Sequence, residues 1–365
     1  MSERFLRLLA VGLVVSFYVS PVEAQPTGAE YARVNASLAR THIVPSYKYL
    51  AKSTAEFQAS VYAYCAKGSD VPIAPVRTAF SRALKSWMKI DHVHLGPVQL
   101  LMRNFRIHFW PDKGGRGSKQ ILALLKRNNN REFAPEKFRS ASVAVQGLPA
   151  AERLLFDLVL DRSGDKTMLQ KGCQFIAAIA GNIKTMSAGI AAEWKPYRTK
   201  IVAAGGEDAF FKNHKEVTTE FLRGMCTSLQ SIVALKLERP LGKSLLAARP
   251  KRSESWRSGN SLANIIANLN GTQAMFEGER DALGLRALIP ASKSAIGTEI
   301  STAFKQSIAT ASRIVQPLYD AVGDPVTRPK VDALLGETRK LRKMCTQKLA
   351  EAIGVQLAFN SLDGD

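Results

Sequence analysis

A chain of 365 residues, 46% hydrophobic and 22% charged, has room for one large domain or two and is not a disordered polymer. Its formal net charge of +20 suits anionic partners such as lipopolysaccharide, nucleic acid or an anionic chelate, although basic residues also coat helices simply for solubility. After residue 24 no unbroken apolar run approaches the ~18 residues of a membrane-crossing helix, so none is expected in the mature chain.

Residues 1–24 read as a secretory signal. Arg4 and Arg7 precede the apolar run Leu8 to Val15, and Val22-Glu23-Ala24 places small residues at −3 and −1, so cleavage is expected before Gln25. No cysteine stands there to carry a lipid, so the expectation is a periplasmic protein and not a lipoprotein. Export argues against nucleic acid. So does the even spread of Lys and Arg, with no basic run interleaved with aromatics.

The elements that follow are helical. A short helix is expected over about 27–41. After Pro45, Tyr47, Leu50, Thr54, Phe57, Val61 and Tyr64 recur three and four apart, one stripe of a long helix. Val71-Pro72-Ile73-Ala74-Pro75 interrupts, and a helix resumes from Val76 to Met88. From Asp91 to Arg139 the pattern is irregular, broken by Gly96-Pro97, Trp110-Pro111 and Gly114-Gly115-Arg116-Gly117. Short helices are expected at Val98–Ile107 and Ser118–Lys126, in a segment too long to be idle connection. The stripe Leu169, Cys173, Ile176, Ile179, Ile183, Met186, Ile190 marks the next long helix, expected to stop at Trp194-Lys195-Pro196. A helix over about 207–237 leads to a second irregular, basic segment from Arg239-Pro240 to Ser255-Trp256-Arg257-Ser258. Helices over about 261–276, 292–319 and 331–355 complete the chain. Alternating strand patterns are scarce, and the fold class expected is all-α.

The stretch around which this order turns is Gln146 to Leu160. Gly147 and Pro149 sit where a helix begins, since proline lacks only an N–H that would be unpaired there. Glu152 falls in the first turns, where a carboxylate suits the helix dipole. Beyond it only Asp157 is polar among Leu154–Leu160, so the helix is expected to be buried, carrying a carboxylate inward at its mouth.

Gly147-Leu148-Pro149-Ala150-Ala151-Glu152 resembles the Gly-Leu-Pro-Ala-Leu-Glu branch of the imelysin-like family, whose other members read Gly-x-His-x-x-Glu. Trp87 with Gly96-Pro97, Phe109-Trp110-Pro111-Asp112 and the terminal Phe359-Asn360-Ser361-Leu362-Asp363-Gly364-Asp365 agree in order. The resemblance spans roughly residue 29 to the C-terminus. It implies two four-helix bundles related by approximate symmetry, with a functional cleft between them. On that reading the chain divides into residues 25–165 and 166–365.

Cys65, Cys173, Cys226 and Cys345 are even in number in an exported chain, which favours disulfides over four core thiols. Three pairings are open to sequence alone. The family's habit of carrying cysteines near the first two positions together implies Cys65–Cys173 and hence Cys226–Cys345.

Catalytic machinery is hard to find. The five histidines form no His-Glu-x-x-His, there is no Gly-x-Ser-x-Gly, and Pro149 replaces the histidine of the family motif, which speaks against a metal-dependent peptidase. Asp91-His92-Val93-His94 reads as a solvated loop or, less simply, as two imidazoles about a metal. Asp363 and Asp365 read as an acidic end or a hard-cation site. The binding residues expected are Gly147, Pro149 and Glu152 at the helix mouth; Arg106, Trp110 and Asp112 from the first irregular segment; and Trp256, Arg257 and Ser258 from the second. Glu152 is the candidate metal ligand, and an Arg from each half would suit an anion. The family's link to iron uptake implies a non-catalytic periplasmic protein for iron or another divalent or trivalent metal. Its partners would be iron, an iron chelate or an envelope protein, with an anionic outer-membrane surface as a further contact. A peptidase of the imelysin type and an envelope interaction module are the other two readings.

Overall fold

The structure, a computed structural model, describes residues 25–67, 71–127, 130–158 and 166–357. The expected signal sequence and the terminal Phe359–Asp365 motif, with Asp363 and Asp365, lie outside them. Every regular element among the described residues is helical.

Helix α1 (Gly28–Leu38) starts where Thr27 and Glu30 cap each other's backbone N–H groups, satisfying donors the first turn leaves free. Four helices then pack together: α2 (Val44–Lys67), α3 (Ala74–Ile90), α5 (Gly147–Arg153) and α6 (Lys166–Val202); α4 (Arg116–Lys126) lies against α5. The stripe on α2 is buried at every expected position from Tyr47 to Tyr64. A second set of four comprises α7 (His214–Ser231), α8 (Ser261–Glu277), α9 (Ser294–Ser312) and α10 (Arg328–Lys343). Helices α3 and α8 join the two sets, and α1 packs on α7. The expected division at residue 165 cuts through the first set, because α6 packs along α2 and is tied to it by a Cys65–Cys173 disulfide.

Helix α6 does not stop at Trp194. It passes through Pro196 to Val202 because Trp194 is fully buried, stacked 5.6 Å from Tyr47, and Ile201 is buried further along. By length and composition it could cross a membrane, yet Ile176, Ile179, Ile183 and Ile190 are buried in the protein core. Helix α7 starts later than expected, at His214, where the Asn213 side chain accepts the Glu216 N–H. It then continues through a π-type stretch, Ile232–Glu238.

The second expected disulfide is not formed. Cys226 and Cys345 are free and fully buried. Each behaves as a small core hydrophobe; burial pushes the Cys226 thiol up to about 12, and burial with Cys226 beside it pushes the Cys345 thiol well above its ordinary value.

Candidate functional site

The two irregular segments meet beside α5. Gly147 opens that helix at φ +79°, and a Cβ there would strike the carbonyl oxygens of Arg106 and Ile107, so only glycine lets the two backbones close. Arg106 braces the same turn, donating to Gln146 Oε1 at 3.1 Å and to the Arg139 carbonyl at 2.6 Å. Its guanidinium is therefore committed behind the helix mouth and does not line the cavity in front of it.

That cavity, of about 520 Å3, has Phe109–Gly117 on one wall, Lys251–Arg257 on the other, and Pro149, Ala150, Glu152 and Arg153 of α5 as its floor. The peptide bond before Pro111 is cis. Of the expected site residues, Trp110, Asp112, Pro149, Glu152, Trp256 and Arg257 share this one cavity. Ser258 bonds Glu152 without lining the cavity, and Gly147 and Arg106 do not line it.

The carboxylates here are already bonded. Asp112 accepts the N–H groups of Arg116 at 2.9 Å and Gly117 at 2.9 Å, capping α4. Glu152, 5% exposed, accepts from Ser258 through both the backbone N–H (2.9 Å) and the hydroxyl (2.7 Å). Burial nevertheless holds its carboxyl above the usual range, outweighing Ser258 and Arg257. Among the described residues no group of three His, Cys, Asp or Glu side chains is placed to hold a metal ion.

The cations are less fully matched. Lys113, Arg153, Arg239, Lys251, Arg252 and Arg257 all line the cavity. Arg153 donates to Ser118 Oγ at 2.6 Å, and Arg257 donates to Asp157 Oδ2 at 2.9 Å while lying 4.4 Å over the Trp256 ring. Trp256 is stacked in turn on Tyr319 at 5.3 Å. Arg239 is lowered from its ordinary value by burial and by the neighbouring positive charge of Arg252. Six cations against two engaged carboxylates, with Asp157 shared between two arginines, leave the cavity positive. Such a site attracts an anion and repels a bare cation.

Behind it lies a sealed polar cluster that the sequence did not announce. Lys236, 3% exposed, donates to Glu254 Oε2 at 2.8 Å and Asn268 Oδ1 at 2.7 Å, and its ammonium lies 5.8 Å from the Trp110 ring. Asn264 donates to the same Glu254 oxygen at 2.9 Å, and Asn268 donates to Asp91 at 2.9 Å. Burial alone would raise the Glu254 carboxyl, but Lys236, His108 and Asn264 together hold it below its ordinary value. Burial lowers His108 to about 4, so it is neutral at pH 7.

Asp91-His92-Val93-His94 is neither a solvated loop nor a pair of imidazoles facing one point. His92 is buried and shares a 3.0 Å hydrogen bond, Nε2 to Nε2, with His42 of the π-helical stretch Ala39–Ile43 that joins α1 to α2, whereas His94 is exposed. The residues the sequence reading missed are Arg153, Arg239, Lys251 and Arg252 around the cavity, and Lys236 and Glu254 behind it. The density of basic residues from Arg239 to Arg257 was the one available signal.

Known proteins carry the same plan. An imelysin-like protein from Psychrobacter arcticum superposes with a TM-score of 0.76 at 17% identity, covering 93% of this chain and all of that one. A Parabacteroides distasonis protein named as a putative iron-regulated protein A precursor superposes with a TM-score of 0.71 at 17% identity, covering 89% and 96%. Iron-regulated protein A of Synechococcus elongatus is 21% identical over 307 residues, 81% of this chain and 79% of that protein. The imelysin sequence model matches residues 43–344, a span that holds both cavity walls and α5 between them, and the chain belongs to the imelysin family.

Proposed function

We propose that this chain is an exported, periplasmic, non-catalytic binding protein of iron homeostasis, and that it takes iron as an anionic chelate in the cavity beside Glu152. The observation that carries this reading is the mismatch of charge. Six cationic side chains face about 520 Å3, while both lining carboxylates are already bonded, one as a helix cap and one to Ser258. Iron enters the proposal from the names of relatives, the iron-regulated proteins A of other bacteria. The form of iron comes from the electrostatics. A ferric polycarboxylate chelate carries negative charge that guanidinium groups can fork.

Calorimetric titration of the purified protein with a ferric polycarboxylate chelate, the metal-free chelator and uncomplexed ferrous ion separates the possibilities. The reading expects saturable binding of the chelate, weakened by salt, and no comparable binding of ferrous ion at the same site. Ferrous ion binding tightly while the chelate does not would refute it.

A further inference from the structure

Among the described residues, large exposed hydrophobic side chains stand singly or, as at Leu245–Leu246, in pairs, apart from one denser group. Leu100, Leu101, Met102 and Phe105, between 51% and 75% exposed, fall within six residues. Scattered apolar residues are ordinary; a contiguous cluster marks a contact surface. The backbone that presents them is also unusual. Leu101 (φ 55°) and Met102 (φ 56°) are successive non-glycine residues in the left-handed region, a conformation that persists only where surrounding structure imposes it.

The imposing contacts are visible. Arg103 forks Glu193 at 2.6 and 2.8 Å and reaches back to the Pro97 carbonyl at 3.1 Å, and Gly96 lies against the Tyr197 ring. Glu193 and Tyr197 are four residues apart, so the loop lies along one face of α6 with its Leu-Leu-Met tip outward. At the Tyr197 end the apolar surface continues into Phe210, 63% exposed, with its ring 6.2 Å from Tyr197. Lys200, three residues after Tyr197 and so on the same face of the helix, lies 5.0 Å over Phe210.

We propose that this face, the loop 96–105 with Phe210 beside it, docks on a bilayer bearing anionic headgroups. The Leu100–Met102 tip would enter the acyl boundary while Lys200 meets the headgroups. A small apolar tip with a lysine beside it, on a chain of net charge +20, is the composition of an interfacial contact. This inference is independent of what the cavity holds.

Co-sedimentation with vesicles tests it, using phosphatidylglycerol–phosphatidylcholine mixtures against pure phosphatidylcholine. The wild-type protein is expected to pellet with the anionic vesicles at least tenfold more strongly. The double variant Leu101→Asn, Met102→Asn introduces a residue type that tolerates the left-handed backbone, so it should fold, and it should lose at least tenfold in vesicle affinity. Lys200→Gln should reduce the preference for anionic vesicles. Absence of wild-type binding at low salt, or full binding by the Asn variant, would overturn the proposal. So would a wild-type dimer in sedimentation velocity that the Asn variant converts to monomer without any vesicle binding, which would make the patch a self-contact.

Discussion

The cavity beside Glu152 and the cluster around Lys236 are built from the same materials and use them in opposite ways. In the cluster, Lys236 is sealed from water and bonded to Glu254 and Asn268, with Asn264 and Asp91 completing one hydrogen-bonded set. In the cavity, cations outnumber carboxylates and remain in reach of solvent. The two are separated by little more than the Trp110 ring and the turn from Glu254 to Trp256. Burial makes the cluster pair or neutralise its charges within the protein, whereas the cations lining the cavity keep a net positive field.

Breaking the sealed cluster should have the largest effect on stability. Lys236→Met strands Glu254 as an uncompensated buried charge, and removing one partner of such a pair costs about 3–5 kcal/mol. Chemical denaturation should show that loss. A change below about 1 kcal/mol would mean that water reaches the cluster and screens Glu254. The Cys65–Cys173 disulfide links residues 108 apart in sequence and touches neither region. Its reduction should cost about 2–4 kcal/mol and leave chelate binding intact. Thiol titration of the unfolded, unreduced protein should find two reactive thiols, from Cys226 and Cys345.

The cluster should also respond to pH. Burial raises the Asp91 carboxyl from an ordinary 3.8 to about 7. The folded protein thus holds this proton to higher pH than the unfolded chain does. Its contribution to stability is fully present below 3.8 and is lost as pH rises through about 7, at no more than ~1.4 kcal/mol per pH unit. Asp91→Asn, which still accepts from Asn268, should flatten that part of the stability profile. An unchanged slope would assign it to another group. In the cavity, Arg257→Gln should weaken chelate binding about tenfold, equivalent to ~1.4 kcal/mol. It should move stability by less than ~0.5 kcal/mol, because its partner Asp157 is partly exposed.

The all-helical fold was legible because burial imposes a period that side chains cannot hide: the stripes from Tyr47 to Tyr64 and from Cys173 to Ile190 are core in the structure. Helix ends were less so. Pro196 reads as a stop locally and is overridden by Trp194 and Ile201, whose burial depends on tertiary packing. The meeting of Trp110 with Trp256 and Glu152 was legible through the irregular segments and the family motif. Arg106 was misplaced because sequence gives a side chain's position but not its direction, and here it points back to Gln146. Lys236 and Glu254 were invisible for a related reason. An isolated lysine in a helix reads as surface until a carboxylate 18 residues away is seen to cover it.

Glu152 gives the most direct test of the account. The substitution Glu152→Gln keeps an oxygen to accept from Ser258 and removes only the negative charge, so the fold should be retained. If the ligand is an anion, removing that charge should tighten binding severalfold, and in the wild-type protein binding should tighten as pH falls through the raised Glu152 pKa. Calorimetry with the ferric polycarboxylate chelate on wild type and Glu152→Gln is the measurement. Tighter binding in the variant is the predicted result; loss of binding would show that the carboxylate meets a cation and would contradict the account.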